Sequence, residues 1–286
     1  MIITQLTGGL GNQLFQYACG RALSLSNGDV LKLDLGNYAQ ENSARQYQLG
    51  HFGIEEQIAS PEEIAKVRRQ LPVISRLIRA FRFRILKVEY VSFKPHLLKK
   101  TGDVYLEGYW QSEKYFSSIA DTIRQDFRLK DGMGSPADRV AQEISQEKWP
   151  VSLHLRRGDY VADPKTKALL NICSPAYYQK AIDLMLRRYP DSRFFVFSDD
   201  IEWAKANLLL PTATDFVSAP EIMDYEELIL MSYCHHHIIA NSSFSWWGAW
   251  LNSRTDKIVV APLVWSRGRK SKKIYKDIIP ESWIRI

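Results

Sequence analysis

Two adjacent arginines stand in His154-Leu155-Arg156-Arg157-Gly158-Asp159-Tyr160, directly after the apolar run Val151-Ser152-Leu153. Guanidinium groups grip phosphate oxygens bidentately and stay charged at any physiological pH. Gly158 follows them, at a point where the backbone can turn freely. This is chemistry suited to a diphosphate, and the plain alternative is a surface ion pair between Arg157 and Asp159.

Three other polar clusters each follow an apolar run. Gly8-Gly9-Leu10-Gly11-Asn12-Gln13 places glycines before a helix, where the main chain comes close to a ligand and helix N–H groups face an anion. The dinucleotide fingerprint is not met, because its third glycine position is Leu14, which argues against a nicotinamide or flavin dehydrogenase. Asn241-Ser242-Ser243 opens a second apolar helix as an N-cap, a geometry that also offers hydroxyls and N–H groups to phosphate. Asp199 and Asp200 end a further run, where one carboxylate suits the paired N1–H and N2–H donors of guanine and the other a helix cap. Trp246, Trp247 and Trp250 read as core rather than as a stacking platform. Cys234-His235-His236-His237 does not read as a metal site, because neighbouring strand residues point to opposite faces. No Asp-x-Asp pair occurs either, so no metal is expected.

These clusters need strands to hold them. Ile2–Leu6, Val30–Asp34, Val104–Tyr109, Val151–Leu155, Arg193–Phe197, His237–Ala240 and Lys257–Ala261 read as strands, and Gln13–Asn27, Met223–Tyr233 and a stretch after Ser174-Pro175 as helices. Thr7–Asn12 reads as a turn. Alternating strands and helices predict parallel sheets covered on both faces. In such folds ligands bind beyond the carboxyl ends of the strands. The Gly-Pro stretch Asp131–Pro136 is linker-like, and two Rossmann-like domains, 1–145 and 146–286, are expected to face a common cleft.

The 286 residues carry a net charge of +6, with 45% hydrophobic residues, an ordinary globular balance. Eleven Lys or Arg and one acid, Glu89, fall in residues 66–100, giving +10 there and −4 elsewhere. Within it Ile74, Leu77, Ile78, Phe81 and Ile85 stand at helical spacing. The segment reads first as an outer helix with a solvated basic face; contact with an anionic membrane surface is the second reading. No nucleic-acid-binding module is visible. Cys19, Cys173 and Cys234 have neither metal spacing nor even number, which points to a reduced, cytoplasmic protein. No secretory signal or spanning segment is evident, leaving peripheral contact with the inner membrane face as the only membrane association expected.

Gly8–Tyr17, Tyr109-Trp110-Gln111-Ser112, His154–Tyr160, Phe197–Asp200, Ile239–Gly248 and Ile279–Trp283, taken in this order, resemble the bacterial α-1,2-fucosyltransferases of glycosyltransferase family eleven. The resemblance implies a GT-B-like fold and transfer of L-fucose from GDP-β-L-fucose, with inversion and no metal, to the 2-hydroxyl of a galactose-containing glycan. It also implies roles. Arg156 would hold the β-phosphate, with Arg157 as a second contact and His154 near ribose or guanine. Asp199 would take the guanine edge. Ser242, Ser243 and Phe244, flanked by Asn241, would meet phosphate. Asn12, in the loop with Gly9 and Gly11, would approach phosphate or fucose. A surface polysaccharide such as O-antigen is the expected setting. For the proton acceptor Asp159, Asp163, Glu107 and Glu113 are candidates, and Asp159 is expected to brace the arginine loop. A different linkage and a non-catalytic GDP-sugar-binding protein are the alternatives.

Overall fold

A computed structural model describes residues 1–39, 45–68, 84–88, 92–158, 173–266 and 275–286, with only the backbone of 84–88. The chain forms two compact units, Met1–Lys130 with Lys276–Ile278, and Asp131–Tyr275 with Ile279–Ile286. The division falls in the Gly-Pro stretch, ahead of the 145/146 boundary read from sequence. Helix Ser135–Gln146 belongs to the second unit, where its leading Gly134 N–H donates to buried Glu226 at 2.6 Å.

The first unit runs β1 (Ile2–Gln5), α1 (Leu10–Asn27), β2 (Leu31–Asp34), α2 (Pro61–Arg68), β3 (Arg84–Val88), β4 (Val104–Gly108) and α3 (Ala120–Asp126). The described strands form a parallel sheet in the order β2-β1-β4-β3. Successive connections leave β1 in opposite directions, so the crevice of a doubly wound sheet opens beside it, between the loops after β1 and β4. The helix α1 begins at Leu10, earlier than read: Gly9 is its N-cap, and Gly11 and Asn12 lie in its first turn. Gly28, in the left-handed conformation, ends it. Ile85 and Lys87, read as part of a basic helix, lie instead in β3, paired in parallel with β4. Five residues, with Ile85 and Leu86 adjacent, show no period of their own, and Ile85 also fits the helical spacing of the apolar residues before it. The rest of that reading, residues 69–83 and 89–91, lies outside the described residues, as do Asp159, Tyr160 and Asp163.

The second unit runs α4 (Ser135–Gln146), β5 (Pro150–Leu155), α5 (Pro175–Arg188), β6 (Arg193–Ser198), α6 (Ile201–Asn207), β7 (Thr214–Phe216), α7 (Asp224–Tyr233), β8 (His236–Ile238), α8 (Ser243–Leu251), β9 (Val259–Ala261) and β10 (Ile284–Arg285). Its described strands form a parallel sheet, β10-β9-β8-β5-β6-β7. Every residue of β5 is buried, as expected for a strand covered on both faces. Val151, Leu153, Leu155, Phe194 and Val196 pack against Ala181, Ile182 and Met185 of α5. Ser174 caps α5, accepting from the Tyr177 N–H, and Pro175 starts it. Trp246, Trp247 and Trp250 are buried and pack on one another, which is the core role read for them. The switch point of this sheet lies between β5 and β8.

Candidate active site

The strand ends of the second unit bring the arginine motif together with two of the other clusters. The arginines leave the end of β5, flanked by β6 on one side and β8 on the other. The Arg156 guanidinium lies 3.0 Å from the Asp199 carboxylate, and the Arg157 backbone N–H donates to the same carboxylate at 2.8 Å. A Cβ on Gly158 would stand 2.8 Å from that carboxylate, so the absence of a side chain lets the loop close on Asp199.

Arg157 is held differently. Its Nε donates to Asp200 at 3.1 Å, and its guanidinium stacks over the Trp203 ring at 3.9 Å. Asp200 also caps α6, accepting from the Trp203 N–H at 3.1 Å. Asp200 therefore takes the capping role that the sequence left open between the two aspartates. Arg157 is thereby anchored to the start of α6.

His154, on β5 itself, is buried, with its ring 5.6 Å from that of Phe244 across the switch point, in the first turn of α8. Burial, and secondarily the Arg156 charge, push its pKa down to about 3, so the ring is neutral. Its Nδ1 is buried with no hydrogen-bond partner among the described residues. Such an atom costs about 1–3 kcal/mol, and a bound ligand can supply the missing partner. Ser242 caps α8 through its hydroxyl, Ser243 opens it, and both stand at a helix N-terminus suited to an anion. Asn241 has a structural part: its amide donates to the Trp265 carbonyl at 2.8 Å and its oxygen meets the Cys173 Sγ at 3.5 Å.

The sequence reading missed Glu227. It sits in the first turn of α7, interacts with Ser218 and feels the charges of Asp224 and Asp199. Burial raises its pKa to about 7. Ser218 also accepts from the Ser198 N–H at 2.9 Å, so Glu227 belongs to the corner at the end of β6. Acids are common in a first helical turn as partners of the helix dipole, and the sequence carries no signal that this one is half-buried beside Ser218.

The loop after β1 forms a second polar centre, in the first unit. Gly8 has φ +79°, and a Cβ there would meet the Asn12 Nδ2 at 2.6 Å. The Asn12 oxygen accepts from the Gln111 amide at 2.8 Å. The two glutamines of this motif are stitches. Gln13 donates to the carbonyls of Gly8 and Gln46 and accepts from the Gln48 N–H, while Gln16 accepts from the Thr7 N–H and donates to the Gly108 carbonyl. Gln16 thereby fixes the loops after β1 and β4 to one another.

The histidine run is engaged within the second unit. His237 bonds Ser152 and Asn252, His236 accepts from the Ile258 N–H, and His235 pairs with Asp256 at 3.0 Å. Among the described residues no group of three or more His, Cys, Asp or Glu side chains is arranged to hold a metal ion.

The sequence matches the family described as Glycosyl transferase family 11 over residues 1–286. The chain belongs to this family. It is 33% identical over 296 residues to an alpha-1,2-colitosyltransferase of Escherichia coli, with 100% of this chain and 99% of that protein covered. It is 30% identical to the O-antigen biosynthesis glycosyltransferase WbnK of Escherichia coli, covering 98% of this chain and 99% of that one. Human galactoside alpha-(1,2)-fucosyltransferase 1 is 26% identical over 57% of this chain and 45% of its own length. Among solved structures, a variant of Arabidopsis thaliana FUT1 in complex with GDP aligns with TM-score 0.54 at 11% identity, over 90% of this chain and 69% of that one. The NodZ fucosyltransferase from Bradyrhizobium aligns with TM-score 0.52 at 12% identity, over 87% and 92%. The fold is that of the GT-B-like fucosyltransferases, and the protein is a glycosyltransferase. Among the described residues no helix is long and apolar enough to cross a membrane.

Proposed function

We propose that the protein transfers L-fucose from GDP-β-L-fucose to the 2-hydroxyl of a galactoside, with inversion and without a metal ion, in the assembly of a surface polysaccharide such as O-antigen. The observation that carries the reading is Arg156 at the switch point of the second unit. There it shares a strand end with the neutral, unpartnered His154, across from the N-terminus of α8.

The chemistry follows from charge. As the bond to the sugar breaks, GDP gains negative charge, and fixed cationic donors lower the barrier by stabilising it. Losing one such donor costs about 3–4 kcal/mol in comparable sites. Arg156 supplies the cation, Ser242 and Ser243 the hydroxyl and helix N–H donors, and Arg157 keeps the loop seated. Asp199 is committed to Arg156 and to the Arg157 N–H, so the guanine edge falls to Glu227, whose ionised carboxylate accepts both base donors. His154 meets the nucleoside with its unpaired nitrogen. Glu107 is engaged with Arg68 at 3.6 Å, and the departing diphosphate takes the proton that the acceptor hydroxyl loses.

A second donor has a specific ground. One relative, matched over 99% of its length, is named for colitose, a sugar that differs from fucose in lacking the 3-hydroxyl. Release of GDP from GDP-fucose and from GDP-colitose, each with and without a panel of β-galactosides, separates these readings. Galactoside-dependent release from GDP-fucose supports the proposal, and preference for GDP-colitose replaces the donor. Binding without release with any acceptor would reduce the protein to a GDP-sugar-binding protein. An α-(1→2) linkage in the product, read by NMR, is the expected regiochemistry.

A further inference from the structure

The loop after β4 carries an unusual backbone. Trp110 has φ +53°, the left-handed region that bulky residues avoid, while its side chain is fully buried. Non-glycine residues in this region cost about 1–3 kcal/mol each and persist where surrounding structure enforces them, often at functional sites. Here the edge of the Trp110 ring packs against Tyr115, and its carbonyl accepts from the Ser112 N–H at 2.8 Å. Between them, Gln111 is turned inward, 9% exposed, with its amide N–H on the Asn12 oxygen at 2.8 Å.

An asparagine carboxamide presents a donor from one end and an acceptor from the other, and which end meets a ligand depends on what holds the rest. Gln111 occupies the oxygen. The nitrogen lies over Gly8, where no side chain obstructs it. We propose that Gln111 is a positioning residue: it orients the Asn12 amide so that Nδ2–H, and not the carbonyl, is offered to a sugar or phosphate oxygen at the loop after β1. The left-handed turn at Trp110 is what delivers Gln111 to that bond. The ligand assignment rests on the fucosyl-transfer reading, but the orientation of the amide does not.

The test is a double-mutant cycle on transfer kinetics with Asn12→Ala, Gln111→Met and the pair. Gln111→Met keeps the side-chain length and removes the donor. It is expected to lower kcat about tenfold with little change in KM, and to add nothing to the loss caused by Asn12→Ala. Losses that multiply in the pair, or a Gln111→Met variant with normal turnover, would overturn the proposal. Gln111→Glu supplies a second readout. Its carboxylate accepts from Nδ2 and reverses the amide, so turnover should be low at neutral pH and rise as the pH approaches that carboxyl's pKa, a trend the unchanged protein lacks. A Gln111→Glu variant active at neutral pH contradicts the assignment. Should the unchanged protein transfer neither fucose nor colitose, the reading of function fails by itself. The side-chain ¹⁵N resonance of Asn12 then decides the orientation: it should shift and broaden in Gln111→Met, and an unaltered resonance would refute the role.

Discussion

Gly158 and Asp199 approach so closely that any side chain at 158 would meet the carboxylate at 2.8 Å. This contact keeps the arginine loop on the aspartate that accepts from both Arg156 and the Arg157 N–H. Gly158→Ala should therefore push Asp199 off both partners. A destabilisation of about 1–2 kcal/mol, within the usual range for such backbone conflicts, should accompany a rise in donor KM. Urea unfolding and initial-rate kinetics on one preparation check both. A variant with unchanged donor KM would show that the loop does not depend on this contact.

Arg157 offers a contrast. Its guanidinium is committed to Asp200 and stacked on Trp203, and a cation–π contact of this kind contributes about 0.5–2 kcal/mol. Arg157→Ala should lower the melting temperature while turnover falls by less than about tenfold, in keeping with the loss of a framework bond rather than of a transition-state donor. Calorimetry beside kinetics makes the comparison. A catalytic collapse at unchanged stability would move Arg157 into the clamp.

Glu227 predicts a pH dependence of donor affinity. Burial raises its pKa to about 7, so near neutrality a substantial fraction carries a proton. If its carboxylate accepts the guanine donors, binding requires the ionised form. Affinity should then fall by up to about tenfold per unit as pH drops below 7, and level off above it. GDP-fucose suits the titration because its diphosphate diester does not itself titrate in this range. Isothermal titration from pH 5.5 to 8.5 should show this limb in the unchanged protein and a flat profile in Glu227→Gln. An identical slope in both would remove Glu227 from the guanine site.

A second pH effect bears on stability alone. Burial, then the neighbouring His235, lowers the His236 pKa to about 4, and burial takes His237 further below its usual value. Their folded-state pKa values lie below the unfolded value near 6.5. The stability this represents is complete above about pH 6.5 and is lost as pH falls from there through about 4. For His236 alone the loss approaches about 3 kcal/mol. The urea midpoint should drop across this window, and His236→Gln should flatten the drop. A midpoint independent of pH between 7 and 4 would contradict it.

Metal independence is open to a direct check. With Arg156 as the cation that meets the leaving diphosphate, EDTA-treated protein should keep its full rate. A loss restored by Mg²⁺ would mean that the diphosphate needs a cation the clamp does not provide.

Legibility in the sequence followed chain locality. His154–Gly158, Asp199–Asp200 and Asn241–Ser243 could be placed together because each follows an apolar strand, and parallel strands carry their ends to one edge. The α8 cap and its buried tryptophans were likewise visible in local pattern. What stayed hidden was tertiary. Nothing local shows that Trp110 adopts a left-handed backbone, so the bond from Gln111 to Asn12, 99 residues away, could not be read. Glu227 looks like an ordinary acid of a first helical turn until Ser218 and Asp199 close around it. Arg84–Val88 is too short to show a period of its own, and pairing with β4 makes it a strand. The partner of Arg157 was hidden for a related reason: Asp200 is 43 residues away, and only the fold brings its carboxylate within 3.1 Å.

The central claim is that Arg156 stabilises the departing diphosphate, and turnover of Arg156→Ala with GDP-fucose and a β-galactoside tests it most directly. Removing a donor worth about 3–4 kcal/mol predicts a kcat lowered by two orders of magnitude or more, with the melting temperature little changed. Near-normal turnover in a folded Arg156→Ala protein would contradict the account.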